Sequence, residues 1–265
     1  MKEFDRAYIE AELRRLGDTL ARPARLHVIG GAAMAFRGQK ASTKDIDIVV
    51  DSETESDALV NGLLGIGYAD PSDLPEPYRR MGARRVLENA DGFAWDVFVR
   101  EVVGFEFSDR MRTRVEAWMA SGQLTVFAAA PEDIFAFKAL TDRERDRDDM
   151  NSLFTNGVDQ AIIREEVLVQ AERRTGKRFA AFFYRGLEEF VDKHGVLYPG
   201  LDEFEALYLR EQVAEILATR LTEDSVDLAR AAEELGAERG VVEAAAQRLV
   251  RQGLARVEAG ELRQA

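Results

Sequence analysis

The sequence contains no cysteine, which excludes disulfides, thiolate nucleophiles and cysteine-ligated metals. It has two histidines, His27 and His194, too few to expect a histidine-based metal centre or a serine triad. His27 lies inside an apolar run and reads as a core residue. Lysine is scarce, six residues against thirty arginines, and 49 acids against 36 bases leave a net charge of −13. That balance argues against broad nonspecific nucleic-acid binding, which depends on neutralising phosphates, although local basic clusters remain open. No uninterrupted apolar run approaches the roughly 18 residues of a membrane span. The N-terminal MKEFDRAYIEAELRRL has no apolar signal core, so the expectation is a cytoplasmic protein without a membrane partner.

The remaining composition, 46% apolar and 32% charged over 265 residues, describes a globular chain of one large or two ordinary domains. Its most informative stretch is LHVIGGAAMAFRGQKASTKDIDIVV, residues 26–50. Leu26–Ile29 reads as a strand, Gly30-Gly31 as a turn and Ala32–Arg37 as a short helix, followed by a second strand that carries Asp45 and Asp47. Side chains alternate along a strand, so the two carboxylates share a face. They repel and raise each other's pKa unless a cation lies between them, and a hard oxygen-seeking ion such as Mg²⁺ is the natural partner. Glycines at a strand-to-helix turn let backbone N–H groups approach a phosphate. Together these features suggest chemistry on a nucleoside triphosphate. Thr43 and Lys44 directly precede Asp45, as triphosphate or acceptor contacts or as ordinary loop residues.

Farther along, an amphipathic helix spans residues 3–20, and Asp51-Ser52 caps a helix to about Leu64. Pro71 to Pro77 is a loop, Gly82–Glu88 a strand, Asn89–Gly92 a hairpin turn and Phe93–Val99 a strand. Asp96 is the anomaly in that last strand, because a carboxylate among aromatic and β-branched residues is costly unless it is paired or binds metal. Phe107–Met119 reads as an arginine-rich helix, Leu124–Ala129 as a strand, and Pro131 opens a helix carrying Lys138. A charged run, Asp142–Asp149, opens the next helix, and two more helices fill residues 159–195. Arginines cluster at 79, 80, 84 and 85, at 110, 112 and 114, and at 143, 145 and 147. They are either acid-paired surface residues or a grip on a nucleic-acid acceptor.

An apolar residue, Gly30-Gly31, thirteen residues and then Asp45-Ile46-Asp47-Ile48 resembles the signature of the DNA-polymerase-β-like nucleotidyltransferase superfamily. The segment PEDIFAFKALTDRERDRDDMNSL is similar to one in the abortive-infection, toxin-type members. The resemblance implies an α/β (α+β) nucleotidyltransferase fold with a mixed sheet and a helical extension. It also implies transfer of a nucleoside monophosphate from an NTP to an acceptor hydroxyl. Asp45, Asp47 and Asp96 would hold Mg²⁺, Asp96 alternatively helping to deprotonate the acceptor. Gly30, Gly31 and Lys138 would contact the phosphates, and Asp148 would lie at the site, with Asp146 and Asp149 as alternatives. RNA, tRNA in particular, is the implied acceptor, in a toxin–antitoxin or phage-defence setting. Other readings are a nucleotide-binding regulator without transfer activity, or transfer to a protein or small molecule.

The expected domain division is 1–200 and 201–265, at the Gly195–Gly200 stretch. Helices are expected over Ala206–Arg220, over Val226–Leu235 capped by Ser225, and over Val241–Arg251, with a closing hairpin of Leu254–Val257 and Glu261–Arg263. Three helices and a hairpin resemble a small winged helix-turn-helix domain. Fourteen acids and eight arginines over residues 201–265 give −6, which favours protein contact, with an antitoxin or a second copy, over DNA readout.

Overall fold

A computed structural model describes residues 2–70, 76–173, 179–222 and 224–265. Most of the loop expected over Pro71–Pro77 therefore lies outside the described residues. The chain divides into two compact units at Gln170/Ala171.

The first unit runs β1 (Phe4–Asp5), α1 (Arg6–Thr19), β2 (Ala24–Ile29), α2 (Gly30–Phe36), β3 (Ser42–Thr43), β4 (Asp45–Val50), α3 (Glu53–Gly65), α4 (Glu76–Met81), β5 (Arg85–Glu88), β6 (Ala94–Val99), β7 (Glu101–Val102), β8 (Phe105–Glu106), α5 (Asp109–Arg114), β9 (Glu116–Ser121), β10 (Leu124–Ala128), α6 (Pro131–Ala139), α7 (Glu144–Thr155) and α8 (Gln160–Arg173). Its main sheet has six strands in the order β5-β6-β4-β2-β10-β9. The sheet is mixed: β4 runs parallel to β6 and β2 to β10, while the β5/β6, β2/β4 and β9/β10 pairs are antiparallel. The inner strands are near-continuous apolar runs, and Leu26, Val28, Ile46, Ile48, Trp95, Val97 and Phe98 are completely buried. Such runs suit strands covered on both faces.

Local signals set most boundaries. The Asp5 side chain accepts from the Tyr8 N–H and starts α1, whose Ile9, Leu13 and Leu16 face the core. Ser52 accepts from the Glu55 N–H and starts α3. Pro131 occupies the first turn of α6, where its missing N–H costs nothing. His27 is buried against Phe107 and Phe127, and burial lowers its pKa. The helix expected over Phe107–Met119 is corrected: it stops at Arg114, and Glu116–Ser121 is the edge strand β9. Antiparallel pairing with β10 overrides the helical preference of Glu116, Ala117 and Met119. Trp118 on β9 stacks on Phe36 with ring centroids 4.6 Å apart.

The second unit contains α9 (Phe179–His194), α10 (Leu201–Leu221), β11 (Val226–Asp227), α11 (Leu228–Leu235), α12 (Arg239–Arg251), β12 (Ala255–Glu258) and β13 (Glu261–Gln264). The strands form one antiparallel sheet, β11-β13-β12, and Leu217, Val242, Ala245, Leu249 and Leu262 make its shared core. Residue 200 lies inside this unit, because Gly195–Gly200 joins two helices whose Phe183 and Phe204 rings stand 4.9 Å apart. Ser225 does not cap the following helix. Val226–Asp227 adds a third strand first, and Asp227 accepts from the Arg230 N–H at 2.9 Å. Among the described residues no helix is long and apolar enough to cross a membrane.

Gly17 on α1 provides a stability test. Its carbonyl accepts from the Gln123 N–H at 3.0 Å, and an added Cβ would stand 2.2 Å from the Ser121 carbonyl oxygen. Backbone cannot yield as a flexible side chain can, so Gly17→Ala is expected to destabilise the protein by about 1–3 kcal/mol in denaturant unfolding. Unchanged stability would contradict this packing.

Candidate active site

Strand register assembles the site. Ile29 at the end of β2 lies opposite Asp47 on β4, and Asp47 lies opposite Asp96 on β6. Three adjacent strands thus bring Gly30, Asp47 and Asp96 to one level of the sheet. Asp45 lies two residues before Asp47 and shares its face.

Both glycines lie in the first turn of α2, so the helix starts two residues earlier than the Ala32 start expected from the sequence. Gly30 has φ +62°, and a Cβ there would meet a carboxylate oxygen of Asp47 at 2.3 Å. A Cβ on Gly31 would meet the Thr43 hydroxyl at 2.7 Å. Side chains are thus excluded where the β2–α2 backbone passes the acid pair.

Asp96 is completely buried, and among the described residues neither of its carboxylate oxygens has a hydrogen-bond partner. Burial, then Asp47 and Asp45, push its pKa well above the usual carboxylate range. Asp47 is half-buried, and burial followed by the Asp45 charge pushes it up to about 7, opposed by Lys138 and Arg143. A cleft of about 200 Å³ opens over Asp45 and Asp47, and neither the buried Asp96 nor Gly30 lines it. Of the residues expected at the site, Gly31, Thr43, Lys44, Asp45, Asp47 and Lys138 line it. Lys40, Arg143 and Arg145 line it as well, and only the two arginines had carried any sequence signal, as possible acceptor contacts.

Lys138 is nearly enclosed and is bound by two carboxylates, Asp146 at 2.6 Å and Asp149 at 2.7 Å. Burial works against its charge, but these two acids outweigh it and raise its pKa. Asp149 also takes Lys40 at 2.8 Å, and Thr141 donates to Asp146 at 2.6 Å. Two lysines and two aspartates therefore tie the loop after α2 to α6 and α7. Asp142, four residues after Lys138, is exposed. Asp148 is exposed on α7 and does not line the cleft, so the inward acids of the charged run are Asp146 and Asp149.

The donor set is oxygen-only, matching a hard cation. Among the described residues no group of three histidines, aspartates or glutamates is already drawn to metal-ligand spacing. The unpartnered Asp96 carboxylate beside two further acids nevertheless fits such an ion.

No protein-family model matches the chain, and no curated protein matches it. A solved structure described as an antigenic nucleotidyltransferase-like protein from Paracoccidioides brasiliensis is 15% identical to it, with a TM-score of 0.41. The superposition covers 76% of this chain and 95% of that one. A likeness this loose leaves the site to its own residues.

Those residues give the metal-free protein a pH signature. An acid whose folded pKa is raised loses stability as pH climbs from its unfolded value through its folded one. For Asp47 the window runs from about 4 to about 7. In chelator, the melting temperature is therefore expected to fall between pH 4 and pH 7, and Asp47→Asn is expected to flatten that fall. An equal fall in the variant would remove Asp47 as its source.

Proposed function

We propose that this protein is a divalent-metal-dependent nucleotidyltransferase of the DNA-polymerase-β-like kind. The observation carrying the proposal is Asp96, a buried carboxylate with no partner among the described residues, set by register beside Asp47. Three acids converge, and among the described residues no side chain pairs with Asp96, which suits a site completed by a cation. Asp45 and Asp47 would hold Mg²⁺, with Asp96 as a further ligand or as acceptor of the hydroxyl proton. A metal held there would supply the positive charge that phosphoryl transfer needs in its transition state. The acceptor oxygen bonds to the α-phosphorus, the bond to the bridging oxygen breaks, and pyrophosphate leaves with the electron pair. Gly30 and Gly31 let the backbone come close, and Thr43 and Lys44 flank the same cleft.

The proposed acceptor is RNA, with tRNA and a toxin–antitoxin or phage-defence setting drawn from the sequence resemblance alone. Of the ten clustered arginines, seven pair with acids among the described residues: Arg79 and Arg80 with Glu76, Arg84 with Glu53, Arg85 with Asp70, Arg110 with Glu165, Arg112 with Asp51 and Arg114 with Asp133. Arg147 donates to the carbonyls of Lys138 and Thr141. Of these clusters, Arg143 and Arg145 line the cleft, and the choice of RNA rests on the resemblance.

For the C-terminal helices and sheet we propose a winged-helix-like module used for protein contact or self-association. Arg248 on α12 turns inward to Glu211 at 3.0 Å, which takes one arginine away from any DNA-facing surface.

The test is incubation with each α-labelled NTP, Mg²⁺ and total RNA. Label is expected in RNA, and Asp45→Asn combined with Asp47→Asn is expected to abolish it. Label only on protein or a small molecule would replace the acceptor, and nucleotide binding without transfer would make the chain a regulator.

A further inference from the structure

Lys138 and Arg143 both line the cleft, but their ammonium and guanidinium groups are engaged differently. Lys138 is held by two carboxylates at 2.6 and 2.7 Å, which satisfy most of its donors and more than balance its charge. The only side-chain hydrogen bond of Arg143 among the described residues goes to the Met81 sulfur at 3.1 Å, a weak acceptor for a guanidinium. Arg143 caps the start of α7 through its backbone alone, so its side chain is not spent on the helix. Its charge reaches Asp47, Asp96 and Asp146, yet among the described residues it stands in no ion pair with any of them. Arg145 and Lys44 flank it on the cleft wall, likewise without a salt bridge among the described residues. A planar fork with spare donors beside an acid cluster suits a phosphate chain brought in with a cation.

We infer that the polyphosphate of the substrate is gripped by Arg143, with Arg145 and Lys44, and that Lys138 instead fastens α6 to α7 through Asp146 and Asp149. The inference rests on the nucleotidyltransferase reading and reassigns the phosphate contact within it. An added tripolyphosphate has to compete with two buried carboxylates for Lys138, whereas Arg143 exchanges only a thioether.

The experiment is calorimetric titration of the full-length protein with inorganic tripolyphosphate, and separately with ATP, both in Mg²⁺. Arg143→Ala is expected to bind tripolyphosphate at least fivefold more weakly than wild type, with its melting temperature unchanged. Lys138→Met is expected to melt several degrees lower, and where it is folded to lose less affinity than Arg143→Ala. A loss below fivefold in Arg143→Ala, or a larger loss in folded Lys138→Met than in Arg143→Ala, overturns the inference and leaves the nucleotide reading standing. Wild-type protein that binds neither ligand overturns both. The arginine variant decides alone if Lys138→Met does not fold.

Discussion

The mutual repulsion of Asp45, Asp47 and Asp96 is the constraint around which the first unit is arranged. Parallel pairing of β4 with β6 sets Asp47 directly beside Asp96, and the apolar residues flanking both hold that register. A one-residue slip would turn every buried side chain of β4 to the other face, so the core enforces the acid contact. The cost of the arrangement appears in the raised pKa values of Asp47 and Asp96. Natural proteins keep such costs at sites where something else binds.

The surroundings follow from the same constraint. Gly30 is obligatory because the β2–α2 backbone passes within touching distance of the Asp47 carboxylate. The cations near the acids divide into two sets. Lys40 and Lys138 are consumed by Asp146 and Asp149, making a near-neutral strut between three segments far apart in sequence. Arg143, Arg145 and Lys44 stay on the cleft wall. An acidic floor, a basic wall and a glycine-lined edge are the features on which the proposed metal–polyphosphate substrate rests, since its own charges alternate in the same way.

Much of this was legible in the sequence, for identifiable reasons. The Asp45/Asp47 pair follows from strand periodicity, and Asp96 stood out as a carboxylate in an apolar strand. The glycine pair and the caps at Ser52 and Pro131 act within a few residues, where sequence is most informative. Long-range pairing was not legible. Strand β9 looks helical until β10 is beside it, and Lys40 meets an aspartate 109 positions away. The resemblance points to Asp148, whereas Asp146 and Asp149 are the buried acids, and α7 starts without a side-chain cap to fix its phase. The alternation of acids and arginines there gives every phase a plausible inward acid.

The central claim is that Asp45, Asp47 and Asp96 form a cation site. Its most direct test is titration of the protein with Mn²⁺, followed by electron paramagnetic resonance of the free ion, in wild type and in Asp96→Asn. The account predicts that wild type takes up Mn²⁺, that Mg²⁺ displaces it, and that Asp96→Asn, equally folded by circular dichroism, loses most of that uptake. Equal uptake by the variant, or none by wild type with or without nucleotide, would contradict it.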